Sequence, residues 1–257
     1  MQDLRIALVQ AHQVWEDKQA NLNHFSHLLA NIETVDLILL PEMFQTGFSM
    51  KAEQLAEAME DSVSIQWLKE LSAKKNAAIY TSMIARENGS FYNRGLFVEP
   101  NGSTTVYNKR KTFGLAGEDL TYGSGTAEKI VNYKNWNLQL QICYDLRFPE
   151  IVRNRMTSNQ SAAYDVILYV ANWPERRSEH WKALLKARAI ENQSYVVGVN
   201  RVGTDANGLS YSGDSQVVDA LGTVNFCEAG IEEVKIVTLT KENLNATREL
   251  LPFLKDR

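Results

Sequence analysis

The sequence predicts a layered α/β fold in which helices cover β-sheets. Three observations carry this. Short apolar strands alternate with amphipathic helices along the chain, and no repeat, linker or low-complexity tract interrupts them. The 257 residues, with 44% hydrophobic content, suffice to bury a sizeable core as one enzyme-sized domain spanning 1–257.

The chain opens β then α. "LRIALVQA" (Leu4–Ala11) alternates as a strand does, and "QANLNHFSHLLANI" (Gln19–Ile32) sets Leu22, Phe25, Leu28, Leu29 and Ile32 on one helical stripe. "VDLILLPE" (Val35–Glu42) is nearly continuous apolar, as in a strand buried on both faces. Pro41 has no N–H and ends its ladder, which leaves Glu42 just past a strand end. A helix is expected at Ser64–Lys75, then strands at Ala77–Ala85, Gly89–Val98 and Thr104–Asn108, with "ENG" and "PNGS" as turns. Lys109 therefore also falls at a strand end.

"WNLQLQIC" alternates through Leu138, Leu140 and Ile142 into Cys143, and Pro149 suits the first turn of a helix running on through Ile151 and Val152. "DVILYVANW" (Asp165–Trp173) reads as a buried strand, and "SEHWKALLKARAIENQ" carries Trp181, Leu184, Leu185 and Arg188 at helical spacing. "YVVGVNRVG" and "SQVVDALGTVNF" read as strands, the latter a pair joined at "DALG". The tail, about 241–257, is a helix broken near Pro252 that leaves Leu250, Leu251, Phe253 and Leu254 in need of a cover, which a partner subunit could supply.

The net charge of −4, with no basic block longer than "NKRK", argues against nucleic acid and anionic membranes as partners. No signal peptide is read at the N-terminus, and no apolar run reaches the roughly 18 residues of a membrane span. Two cysteines make no disulfide framework, so a cytoplasmic location is expected. Of the four histidines, His24 and His27 stand one helical turn apart on a surface or half-buried face and neither His12 nor His180 lies in a Cys-protease motif; no His or Cys pair has zinc-site spacing, so no metal is expected.

Glu42, Lys109, Cys143 and Trp173 all sit at strand ends, where a rigid sheet fixes a side chain and the following loop leaves it accessible. A thiol there, followed by a turn and a helix N-terminus, is expected to be favoured as thiolate, the more so beside a lysine. Taken singly, each has a plainer reading. Cys143 could be a small buried hydrophobe, Glu42 a turn cap and Lys109 a member of a solvated basic run. Cys227, with no polar turn after it, reads as packing.

"LLPEMFQTGF", "YNKRKTF", "QICYDLRFPE" and "ANWPERRSEHW...ARAIENQSYVVGVNRVG" resemble the blocks of the nitrilase superfamily of carbon-nitrogen hydrolases, in the same order and at similar intervals over nearly the whole chain. "CYDLRFPE" and "ANWP" are most similar to the omega-amidase branch, which hydrolyses 2-oxoglutaramate and related terminal amides of dicarboxylates. The resemblance implies an αββα sandwich, paired as αββα–αββα in a homodimer, and a Glu-Lys-Cys triad that needs no cofactor or metal. Glu42 would be the general base, Lys109 the cation beside the oxyanion and Cys143 the nucleophile. Glu118 in "LAGEDL" would be the further glutamate that orients the lysine, and the backbone N–H of Tyr144 would join Lys109 at the oxyanion. The chain departs from the branch at Lys111, where a histidine is usual, which leaves the loop contacts after Lys109 open.

The small-molecule amide would be chosen at the pocket rim. Arg147 suits a carboxylate, because guanidinium binds it bidentately, and Phe44, Phe48 and Trp173 could wall the carbon chain. Arg147 could instead pair structurally with Asp145 or Glu150. A carbamoylase or a nitrilase would use the same triad, and a catalytically idle interaction protein on the same fold is disfavoured by the presence of all three triad residues.

Overall fold

The structure, a computed structural model, describes residues 2–257. In chain order its strands are β1 (Leu4–Gln10), β2 (Leu37–Leu39), β3 (Glu57–Ala58), β4 (Ala78–Glu87), β5 (Ser90–Val98), β6 (Thr104–Asn108), β7 (Ile130–Tyr133) and β8 (Trp136–Ile142). There follow β9 (Val166–Ala171), β10 (Tyr195–Asn200), β11 (Val202–Thr204), β12 (Ser210–Ser212), β13 (Gln216–Val218), β14 (Val224–Phe226) and β15 (Glu233–Leu239). The helices are α1 (Lys18–Leu28), α2 (Ala52–Leu55), α3 (Val63–Lys75), α4 (Glu118–Thr121), α5 (Ser178–Asn192) and α6 (Lys241–Leu250).

One sheet runs β15-β1-β2-β4-β5-β6, with β3 paired to β4; the other runs β14-β13-β10-β9-β8-β7, and β11 and β12 form a separate ribbon. The centres of both sheets are parallel: β1, β2 and β4 in the first, β8, β9 and β10 in the second. Such strands are covered on both faces, which is why their sequences are so apolar.

The two-residue period of β1 sorts the layers. Leu4, Ile6 and Leu8 join Leu138, Leu140 and Ile142 of β8 in the core between the sheets. Ala7 and Val9 point the other way and pack with Leu22 and Phe25 of α1 and Ile65 and Leu68 of α3. On the far side α5 lies so close to β10 that a Cβ on Gly198 would stand 2.6 Å from Leu185 and 2.8 Å from Trp181, so only glycine fits there. The layer order is helix, sheet, sheet, helix, the αββα sandwich expected.

Local signals set the helix ends. Asp17 accepts the Ala20 N–H at 2.9 Å and Ser62 the Ile65 N–H at 3.0 Å, capping α1 and α3. Asn76 closes α3 in the left-handed region, φ 50°. Among the described residues no helix is long and apolar enough to cross a membrane.

Four expectations need correction. The strand expected over Val35–Glu42 is only Leu37–Leu39. The helix expected from Pro149 is a single 3-10 turn, Pro149–Ile151. Tertiary partners stop it there, since the Ile151 carbonyl accepts from the Arg110 and Gln139 side chains and the Asn154 N–H donates to Asn192. The strand read over Tyr195–Gly203 divides around Arg201 into β10 and β11, because β11 leaves the sheet to pair with β12. Phe44 is a core residue and not a pocket wall. The chain turns at Met43, φ 46°, and the Phe44 ring stacks on Trp67 at 5.6 Å and lies 6.0 Å from Phe25 beneath the helices.

Candidate active site

Four strand ends converge on one point. β2 is followed by Glu42, β6 by Lys109, β8 by Cys143 and β9 by Asn172 and Trp173. Lys109 Nζ lies 2.9 Å from Glu42 Oε1, and 3.0 and 2.9 Å from the two carboxylate oxygens of Glu118. Asn93 Nδ2 donates to both acids, at 2.7 Å to Glu42 and 3.0 Å to Glu118. The Asn172 N–H holds the other Glu42 oxygen at 2.8 Å. Glu42, Lys109 and Glu118 have essentially no solvent contact. Two carboxylates and one ammonium are tolerable there only because each is hydrogen-bonded in this network.

Burial acts against the Lys109 ammonium, but the carboxylates of Glu118 and Glu42 outweigh it and raise its pKa. The lysine is therefore a permanent cation, its Nζ 5.2 Å from the centroid of the Phe48 ring.

Cys143 opens a 3-10 turn, Cys143–Arg147, with its own φ at 44°. A non-glycine residue in this region costs about 1–3 kcal/mol, and such outliers cluster where a side chain must be presented. Asp145 pins the turn. Its carboxylate accepts the Ile142 N–H at 3.0 Å, the Lys111 N–H at 2.9 Å and the Tyr107 hydroxyl at 2.8 Å. Burial pushes the Asp145 carboxyl up to about 6, although these donors and Lys109 pull the other way.

The expected thiolate is not the resting form. Burial, and then the charge of Glu42, push the Cys143 thiol well above its ordinary pKa, and Lys109 offsets only part of this. The physical reason is desolvation: a five-residue 3-10 turn supplies too small a dipole to compensate for it.

Cys143 opens into a cavity of about 270 Å³. Phe48, Tyr144 and Trp173 line it, and so do Arg147, Arg176 and Arg177; among its described lining residues there is no Asp or Glu. The Arg147 guanidinium lies 4.7 Å from the Trp173 ring centroid, with Nη2 3.1 Å from His180 Nδ1. Asp145 is engaged with backbone N–H groups and Tyr107, and Glu150 faces Lys111 at 3.8 Å, so the structural pairing considered for Arg147 is not the one formed. Lys111 uses its backbone N–H on Asp145 and its ammonium on the Phe148 ring, 4.6 Å away, which leaves Lys109 undisturbed. Cys227 is buried in the core between the layers.

The structure thus brings Glu42, Lys109, Glu118, Cys143, Tyr144, Arg147, Phe48 and Trp173 together and leaves Phe44 outside. Sequence reasoning missed Asn93, Asn172, Asp145 and the pair Arg176 and Arg177. Asn172 could have been found, since it stands at a strand end beside Trp173; Asn93 lies inside β5 and has no such signal.

Residues 5–249 match the carbon-nitrogen hydrolase family. The chain is 44% identical over its full length to omega-amidase YafV of Yersinia enterocolitica, covering 97% of that protein. It is 33% identical to a 2-oxoglutaramate amidase of Paenarthrobacter nicotinovorans, covering 92% of this chain and 83% of that one. Among solved structures, a CN-hydrolase superfamily protein from Xanthomonas campestris with an arsenic adduct in its active site superposes with a TM-score of 0.96 at 39% identity, covering 100% of this chain and 98% of that one.

Proposed function

Because the chain belongs to the carbon-nitrogen hydrolase family, we propose that it is an amidase that hydrolyses the terminal amide of a small dicarboxylate monoamide, such as 2-oxoglutaramate or 2-oxosuccinamate, to the acid and ammonia. The observation that carries the reading is the meeting of a buried Glu42–Lys109–Glu118 network with Cys143 at a cavity rimmed by three arginines.

In this mechanism Glu42 takes the Cys143 proton as the sulfur attacks the amide carbon, so the high thiol pKa is met by transfer during attack and not by a standing thiolate. The Lys109 ammonium and the Tyr144 N–H, in the first turn after Cys143, stabilise the oxyanion. Protonated Glu42 then gives its proton to the departing nitrogen, and ammonia leaves a thioester. Glu42 next deprotonates a water, which attacks the thioester; the acid leaves and the thiol regains a proton. Asn93 and the Asn172 N–H fix the Glu42 carboxylate so that it serves both steps.

An ammonia-release screen over 2-oxoglutaramate, 2-oxosuccinamate, glutamine, asparagine, carbamoyl amino acids and simple nitriles tests the assignment. Carbon dioxide released alongside ammonia would indicate a carbamoylase, and turnover of a nitrile a nitrilase.

Arg147 tests the substrate class. If it grips the distal carboxylate, Arg147→Lys keeps the charge without the fork and Arg147→Met loses both. A lost charge-assisted hydrogen bond costs about 1.5–3 kcal/mol, so kcat/KM for the dicarboxylate monoamide should fall roughly ten- to a hundred-fold or more. Butyramide, which has no carboxylate, should be little affected. Equal losses for both substrates in a folded variant would make Arg147 structural.

The protein acts as a homodimer in this reading, with the C-terminal segment at the interface. Leu250 is 78% and Phe253 57% exposed in the single chain, an apolar surface that a second copy would cover. Sedimentation at micromolar concentration should find dimer; monomer alone would refute it. Two free, buried cysteines support a cytoplasmic location.

A further inference from the structure

Glu232, just before β15, holds one carboxylate oxygen against two imidazoles from distant parts of the chain. Its Oε2 lies 2.7 Å from Nδ1 of His12, past the end of β1, and 2.9 Å from Nε2 of His24 in α1. It also accepts the His12 backbone N–H at 2.9 Å. The ring centroids are 4.1 Å apart, and the three potential ligand atoms all lie within 4.8 Å of one another. The group is reachable from solvent, with side-chain exposures of 47% for His12, 19% for His24 and 29% for Glu232. None of the three lines the cavity at Cys143.

We propose that His12, His24 and Glu232 form a binding site for a divalent transition-metal ion of the zinc type. Two imidazoles and one carboxylate are a donor set that suits Zn²⁺ and Co²⁺, whereas Mg²⁺ and Ca²⁺ prefer all-oxygen sites. The scaffold is already assembled. β1 and β15 are hydrogen-bonded up to the pair Gln10 and Glu233, which fixes His12 and Glu232 at one edge, and α1 brings His24 onto the same oxygen.

Tetrahedral bonds of about 2.0–2.1 Å set ligand atoms about 3.3 Å apart, so the two contacts to Glu232 open by about half an ångström, while the two ring nitrogens, within 4.8 Å of each other, come to the same spacing. Each imidazole donates from its near nitrogen to Glu232 in the empty site. To bind the ion it presents a lone pair there, its proton passing to the other ring nitrogen or, if the ring was charged, to solvent. The exposed side leaves room for water as a further ligand. Metal-site spacing rules read neighbouring residues and pass over this trio, because its members come from three separate elements.

Tag-free protein carrying Cys143→Ala, which removes the competing thiol, should bind one Zn²⁺ per chain in calorimetry and no Mg²⁺. Co²⁺ should develop visible ligand-field bands. His12→Asn, at the most exposed of the three positions, and His24→Asn should each weaken binding about tenfold or more. Circular dichroism checks that the variants are folded. Failure to take up Zn²⁺ at about 0.1 mM, or binding unchanged by His12→Asn in the folded variant, would overturn the proposal.

Discussion

Cys143→Ala is expected to lower kcat by about 10⁴-fold or more while the protein stays folded, because the variant has no atom that can form the thioester. The side chain loses only its sulfur, and the 44° φ at this position is no harder for alanine than for cysteine, so the melting temperature should move by only a few degrees. Cys227→Ala, in the core and away from the cavity, removes one sulfur's worth of packing, on the order of 1 kcal/mol, and leaves turnover intact. Ammonia release and thermal unfolding on the three proteins check this. Turnover surviving in the Cys143 variant would sink the covalent mechanism.

Lys109→Met should damage both stability and activity. The methionine fills a similar volume but leaves the carboxylates of Glu42 and Glu118 facing each other in a buried site with only neutral donors. Removing one partner of a buried ion pair costs about 3–5 kcal/mol, a large part of the roughly 5–15 kcal/mol that holds a domain folded. The pKa shift gives the sign of the pH dependence. Lys109 is raised in the folded protein, so its contribution is fully present below the unfolded value near 10.4 and is lost only as pH rises through the folded one. Urea unfolding of wild type and variant at neutral and alkaline pH checks this, with ammonia release at a pH where the variant is folded. Wild-type stability and kcat at neutral pH would show that the lysine is not the cation of the site.

These experiments bear on residues that the sequence marks one by one as strand-end positions and that only the family resemblance joins as a triad. Glu42, Lys109 and Cys143 each follow a strand ended by a local signal: Pro41, the close of a third successive strand, or a polar turn. The sequence offers Phe44 as a wall of the pocket, but the turn at Met43 carries its ring back to Trp67 and Phe25. The helix expected at Pro149 shows propensity losing to tertiary hydrogen bonds, since the Ile151 carbonyl and the Asn154 N–H find partners outside the segment.

The sequence by itself determined the alternation of strands and helices, and the alternation within Leu4–Ala11 and Trp136–Cys143. Those are local properties, set by φ/ψ preference and by the removal of apolar surface from water. Only the tertiary structure decided which charges share a buried volume: that Asn93 bridges two acids, that Arg147 rests on Trp173, and that His12, His24 and Glu232 meet on one oxygen. It also decided that Cys143 rests as a thiol. Protonation follows desolvation and the sum of nearby charges, and both are set by packing between segments far apart in the chain.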